Sequence, residues 1–318
     1  MIQTLLVTGG CGFIGSNFIN YYYSSHPDVT IVNLDAMYYC ADENNIKEEI
    51  RNSGRYHLVK GNITSVDLLN HILNSYQIDS VIHFAAQSHV QNSFNESLKY
   101  TYDNVVGTHT LLECCHIYGK IQKFIHISTD EVYGESMLSS DEIKKDEHSV
   151  LCPTNPYAAT KAGAELIANS YYYSFKMPII ITRGNNVYGP NQYPEKLVPK
   201  FIELLKNGQK VTIQGDGSNV RAFLHVTDVA KALELILEKG IVGEIYNIGS
   251  DEEKEYSVLE IAKILIELVK NTTDYDQFIE YIEDRPFNDK RYFISNEKVK
   301  NLGWKIETDF IEGLKEIL

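Results

Sequence analysis

Thr129, Asp130 and Glu131 stand together at the end of an apolar run, and Tyr157-x-x-x-Lys161 follows them. The hydroxyl, phenol and ammonium make one set. Beside a hydride acceptor, they could draw the proton from a carbinol. The two adjacent carboxyls make a second. Once the carbinol is a ketone, the neighbouring C–H is acidic; one carboxylate could remove that proton while its protonated neighbour donates to a departing hydroxyl. Two close carboxyls repel when both are ionised, which raises one pKa and separates acid from base. A simple dehydrogenase needs the first set and has no use for the second. Read blandly, Asp-Glu could be solvated loop acids, and Thr129 could be a strand-end hydroxyl that satisfies backbone.

The Tyr-x-x-x-Lys spacing means little alone, because Tyr56–Lys60 and Tyr172–Lys176 share it. Context separates them. Asn155-Pro156 is a strong helix start, with Asn as cap and Pro in the first turn. Tyr157 then lies at the exposed helix end, with Lys161 one turn on over the same face. A nearby ammonium stabilises phenolate, so a lowered Tyr157 pKa is expected. Tyr56–Lys60 falls in an expected strand, and Tyr172 in a Tyr171-Tyr172-Tyr173 packing run.

A hydride acceptor needs a cradle. Thr8-Gly9-Gly10-Cys11-Gly12-Phe13-Ile14-Gly15 follows an apolar run and opens a helix. Gly9, Gly12 and Gly15 let a tight turn form and a pyrophosphate approach backbone. Phe13 and Ile14 start the helix whose free amides would face the phosphates. The alternative is a tight strand-to-helix turn without a ligand. Asp35 ends the second run; a carboxylate there accepts ribose hydroxyls and repels a 2′-phosphate, which favours NAD over NADP. Asp35 could instead cap the next helix. Asn62 and Ile63 follow the third run, where an amide could accept from the adenine amino group. Ala85 and Ala86 follow the fourth, where small residues let backbone pass close to a cofactor.

The elements that would position these groups alternate. Ile2–Val7, Val29–Leu34, Tyr56–Val59, Val81–Phe84, Phe124–Ile127 and Pro178–Thr182 read as strands with helices between. That rhythm implies an α/β fold, a doubly wound (Rossmann) parallel sheet covered on both faces, with a smaller C-terminal substrate-binding portion. Residues 1–185 are the expected nucleotide-binding domain carrying the catalytic groups. Residues 186–318 are the expected substrate portion, closing a cleft, with some segments returning to the sheet. Glu135–Ser149 reads as a surface loop. After about residue 185 the rhythm breaks, and helical periods resume at Val258–Lys270 and Phe310–Leu318.

The formal charge of -14 over 318 residues argues against a nucleic-acid partner. The five cysteines follow no regular spacing and read as reduced thiols of a cytoplasmic protein. No Cys/His pair has ligand spacing, so no metal is expected. No leader is evident at the N-terminus, and no apolar run is long enough to cross a bilayer.

At these residues the chain resembles the extended short-chain dehydrogenase/reductase family through nearly its whole length, and within it the nucleotide-sugar 4,6-dehydratases. Ser128-Thr129-Asp130-Glu131-Val132-Tyr133-Gly134 carries the distinction, since related 4-epimerases and decarboxylases usually lack an acid where Asp130 stands. The resemblance implies that Asp130 protonates the leaving hydroxyl, that Glu131 is the base at C5, and that Tyr157, assisted by Lys161 and Thr129, is the base at the C4 hydroxyl. His83–Val90 resembles the cofactor-side loop, whose Ser88 and His89 it assigns to substrate. In the segment Arg183–Lys196 the resemblance puts Asn186 on the sugar-phosphate, with Glu195, Lys196 and Leu197 lining substrate. Arg221 and Arg285 would take the diphosphate.

Asn185–Lys196 and Arg285–Asp289 resemble the UDP-glucose 4,6-dehydratase domain of UDP-rhamnose synthases. Bacterial dTDP-glucose enzymes more often have Gly-His where Phe287-Asn288 stands. UDP-glucose is the expected substrate and dTDP-glucose the alternative. A nucleotide-sugar 4-epimerase or decarboxylase is a further reading, and a non-catalytic NAD-binding scaffold comes from another class. Family members are commonly homodimers, through helices like Asn92–Ile117 and Pro156–Phe175.

Overall fold

The first apolar run forms β1 (Thr4–Thr8), whose side chains alternate between the two faces of a sheet. Leu5 and Val7 pack with Phe18, Ile19 and Leu233 on one face, and Leu6 packs with Leu69, Leu73 and Leu111 on the other. Burial on both faces explains why the runs are apolar throughout. The computed structural model describes residues 2–139, 141–251, 254–284 and 287–318.

The remaining strands are β2 (Thr30–Asp35), β3 (Tyr56–Lys60), β4 (Ser80–His83), β5 (Lys123–Thr129), β6 (Ile179–Gly184), β7 (Asn186–Tyr188), β8 (Val211–Gln214), β9 (Val220–His225), β10 (Ile245–Ile248), β11 (Glu255–Ser257) and β12 (Ile279–Ile282). Seven of them form a parallel sheet in the order β10-β6-β5-β4-β1-β2-β3. Connections leave β1 toward one edge and return through β4 toward the other, which opens a crevice beyond the carboxyl ends of β1 and β4. The sequence places six of the seven strands to within two residues. The seventh, β10, lies in a stretch read as irregular.

That strand shows how far the C-terminal half returns. β10 pairs with β6, and the helix Val226–Lys239 packs against the helix Phe13–Ser25. His26, at the end of the helix Phe13–Ser25, reaches Glu234 and Glu238 on the helix Val226–Lys239. A separate core gathers the helices Leu197–Lys206 and Val258–Lys270 with Phe223 and Phe310. Small sheets of β11-β9-β7 and β12-β8 join it to the crevice.

Two expected elements differ in detail. Pro156–Phe175 is one helix, as expected. Asn92–Ile117 is not: it comprises Val90–Asn95, Ser97–Tyr100, a π-type turn Thr101–Val106 and Gly107–Tyr118. The loop Glu135–Ser149 is tied down, with Ser136 and Lys145 donating backbone bonds to Arg291 and Phe293.

Candidate active site

The glycine turn fits a nucleotide. Gly9 has φ +73, and a Cβ there would lie 2.7 Å from the Ala85 backbone. A Cβ on Gly15 would lie 2.5 Å from the Gly9 carbonyl oxygen. The helix Phe13–Ser25 starts after Gly12 with no side-chain cap, so its first amides face the crevice unclaimed by a capping group. Asp35 accepts from the Cys11 amide at 2.9 Å and the Met37 amide at 2.8 Å. Burial pushes its carboxyl up and these amides oppose the push. Its remaining lone pairs can still accept ribose hydroxyls.

Gly9, Gly12, Phe13, Ile14, Gly15, Asp35, Asn62, Ile63, Ala85 and Ala86 line one cavity with Thr129, Asp130, Glu131, Tyr157 and Lys161. Asn62 departs from expectation in one respect. Its Oδ1 accepts from both the amide and the hydroxyl of Thr64, and its Nδ2 donates to Tyr38. The carbonyl expected to serve adenine is therefore engaged by its own turn.

A second cavity adjoins the first and shares Ser88, Glu131, Asn186, Glu195 and Lys196 with it. His89, Leu197 and Arg221 line only this second one. Lys196 donates to the Ser88 carbonyl at 2.8 Å, and Glu195 accepts from Tyr39 at 2.8 Å. Arg221 lies over the Tyr292 ring, 4.9 Å from its centroid. Arg285 lies outside the described residues.

Where the cavities meet, β5 ends in Thr129, which caps a single 3-10 turn, Asp130–Tyr133. Thr129 Oγ1 donates to Asp130 Oδ1 at 3.2 Å. Asn185 Nδ2 donates to Asp130 Oδ2 at 2.6 Å, and Asn155 Nδ2 donates to Glu131 Oε2 at 2.9 Å. Burial, then the neighbouring Glu131 charge, push the Asp130 carboxyl up to about 7. Burial also raises Glu131, while Asn155, Arg221 and Lys196 work against the rise. Both carboxyls are thus pushed up, and Asp130 is able to hold a proton near neutrality.

The end of the turn is anchored beneath the site. Arg183 Nε donates to both Glu165 carboxylate oxygens, and its Nη1 donates to Tyr133 Oη at 2.6 Å. Tyr133 in turn donates to Asn247 on β10 at 2.8 Å.

The redox set is brought together, but its electrostatics correct the expectation. Lys161 donates to the Ile127 carbonyl at 2.6 Å, and burial pushes its ammonium down to about 8. Tyr157 is pushed upward by burial, then by Glu131 and Asp130, with Thr129 opposing. The polypeptide alone therefore holds Tyr157 as a phenol. Burial and the neighbouring acidic pair outweigh a lysine committed to a backbone carbonyl.

Four residues escaped the sequence reading as site groups: Asn155, Asn185, Asp289 and Tyr292. Tyr292 donates to Asp289 at 2.5 Å and lies 3.4 Å from Glu131 Oε2. Asn185 and Asn155 carry a weak signal, since each is an amide beside a strand end or helix start. The π-type turn is a further support: Asn104 brackets Gln87 with bonds to its amide and carbonyl, and Asp103 accepts from its side chain. These bonds fix the segment after Ala85-Ala86.

The sequence matches the family described as GDP-mannose 4,6 dehydratase over residues 6–317. A trifunctional UDP-glucose 4,6-dehydratase/UDP-4-keto-6-deoxy-D-glucose 3,5-epimerase/UDP-4-keto-L-rhamnose-reductase of Arabidopsis thaliana is 49% identical over 319 residues. That match covers 99% of this chain and 46% of the relative, so the chain spans about half the length of such relatives. The human dTDP-D-glucose 4,6-dehydratase is 44% identical, with 99% of this chain and 89% of that protein covered. Among solved structures, the dTDP-glucose 4,6-dehydratase DesIV of Streptomyces venezuelae, with NAD and TYD bound, is 37% identical at a TM-score of 0.91, covering 98% of this chain and 94% of that one.

Proposed function

Because this chain belongs to the GDP-mannose 4,6 dehydratase family, we propose that it is a nucleotide-sugar 4,6-dehydratase that recycles NAD, and that its substrate is UDP-glucose. The observation that carries the activity is the buried, adjacent pair Asp130 and Glu131 beside Thr129, Tyr157 and Lys161 in one cavity. The preference for UDP-glucose is supported by Phe287-Asn288 and by 49% identity to the plant relative against 44% to the human one. In this reading the product, UDP-4-keto-6-deoxyglucose, leads toward a deoxysugar such as rhamnose.

A bound nicotinamide cation supplies a reversible store for one hydride, removed from C4 and returned to C6, and a positive charge that opposes the upward push on Tyr157. Gly9, Gly12, Gly15 and Asp35 would hold its dinucleotide. Tyr157 takes the C4 hydroxyl proton, with Thr129 orienting that hydroxyl and Lys161 favouring the phenolate. Glu131 removes the C5 proton as Asp130 protonates the C6 hydroxyl, which leaves as water. Glu131 then returns a proton to C5. The proton gained at Tyr157 balances the one lost from Asp130, so the net change is loss of water. Asn186, Lys196 and Arg221 would hold the sugar nucleotide through charge-assisted bonds.

The proposal extends to a cytoplasmic homodimer. Incubation with UDP-glucose and dTDP-glucose in parallel, with mass detection, tests the reaction and substrate together. Water loss is expected from both, with kcat/KM for UDP-glucose about tenfold higher or more, a difference of about 1.4 kcal/mol. Unchanged mass with either substrate would reject the activity, and faster dTDP-glucose turnover would reject the substrate.

A further inference from the structure

Asn155 does two things with one carboxamide. Its Oδ1 accepts from the Ala158 amide at 2.9 Å and so starts the helix Pro156–Phe175. Its Nδ2 donates to Glu131 Oε2 at 2.9 Å. An amide has one oxygen and one nitrogen, and the cap requires the oxygen. The backbone therefore dictates which end faces Glu131, and that end is always a donor. The side chain is only 5% exposed, so water does not readily replace either bond.

The helix it starts carries Tyr157 and Lys161, while the turn it touches carries Asp130 and Glu131. We infer that Asn155 is a positioning residue for the elimination step, holding the Glu131 carboxylate in register with the helix that presents Tyr157. The inference rests on the dehydratase reading. A donor favours the ionised carboxylate, the form able to take the C5 proton. Other groups bear on Glu131 from every side: Asp130 on its own turn, Tyr157 on the helix, Arg221 on β9, Lys196 before the helix Leu197–Lys206, and Asp289 and Tyr292 on the C-terminal segment. Asn155 is distinct among them because the same amide also sets the start of the helix.

Two variants separate this role from simple capping. Asn155→Ser retains a good cap but lacks the amide donor. Asn155→Asp also caps, and turns a like charge toward Glu131. Two signals are followed with the NAD-loaded enzyme: rapid formation of reduced nicotinamide, which reports oxidation at C4, and loss of water from UDP-glucose. Both variants are expected to unfold at nearly the wild-type temperature and to form reduced nicotinamide at the wild-type rate. Water loss should slow by about tenfold in Asn155→Ser and further in Asn155→Asp. The acidic limb of kcat should move to higher pH, because Glu131 must be ionised and has lost its donor.

Equal slowing of both signals, or lowered folding stability in both variants, would mean that Asn155 only caps the helix and would overturn the inference. So would an unmoved acidic limb with wild-type kcat. Failure of the wild-type enzyme to release water from either sugar nucleotide would instead reject the dehydratase reading, and the inference with it.

Discussion

Asp130 and Glu131 are adjacent in sequence yet meet different partners, Asn185 and Thr129 at the one and Asn155 at the other, and in the proposed reaction one is the acid and one the base. Replacing Glu131 with Gln should leave UDP-glucose binding intact and lower kcat by about 10²–10⁴-fold. Binding calorimetry beside steady-state turnover checks this, and a variant keeping most of its kcat would remove Glu131 from the C5 role. Asp130 must be protonated to donate, so activity should fall as pH rises through about 7. The same shift has a folding consequence. Between its ordinary value of 3.8 and about 7, the folded state keeps a proton that the unfolded state has released, so stability falls with rising pH across that window. Asp130→Asn removes this titration. The variant should gain stability over wild type as pH rises from 5 to 8, by up to about 2–4 kcal/mol, in urea unfolding at both pH values. A gap that stayed constant would show that Asp130 is not the group responsible.

At the scale of elements, one tie under the active turn is the ion pair of Glu165 with Arg183, both almost fully buried. It links the helix Pro156–Phe175 to β6, and through Tyr133 to the turn and β10. Arg183→Met alone should cost about 3–5 kcal/mol by stranding a buried charge, while the Glu165→Leu/Arg183→Met double variant should recover much of that loss. Chemical denaturation of both variants measures it; a double variant no better than the single would reject the account. Much of this framework was legible in the sequence. The glycine turn, Asp35, the Asn155-Pro156 helix start and six strands follow from local pattern. β10 was not legible, because a short edge strand separated from β6 by about 60 residues, with β7, β8 and β9 of other sheets between, carries no local signal of its partner. The upward shift of Tyr157 was missed for a related reason: spacing reveals Lys161 one turn away, but burial and the direction of the ammonium are tertiary facts.

At the scale of the molecule, two helical segments leave apolar side chains uncovered. Leu98, Tyr102 and Leu166 are 83%, 55% and 60% exposed, and Tyr173 is exposed as well. Such a surface fits the proposed homodimer. Sedimentation equilibrium should give twice the chain mass, and Leu98→Glu with Leu166→Glu should yield monomers; a wild-type monomer would reject the assembly. No described helix is long and apolar enough to cross a membrane.

The π-type turn at Thr101–Val106 connects this outer surface to the crevice. It adds backbone to one turn of a helix, and its inward side carries Asp103 and Asn104. Deleting a single residue there would remove the bulge and restore regular winding, because the wide turn absorbs the extra residue while the flanking turns keep their faces. The loss would fall on the inward side, where Asn104 clamps Gln87 and Asp103 accepts from its side chain. The extra residue thus serves the crevice rather than the outer surface: without it the segment after Ala85-Ala86 would lose its ties, and Leu98 would keep its outward place.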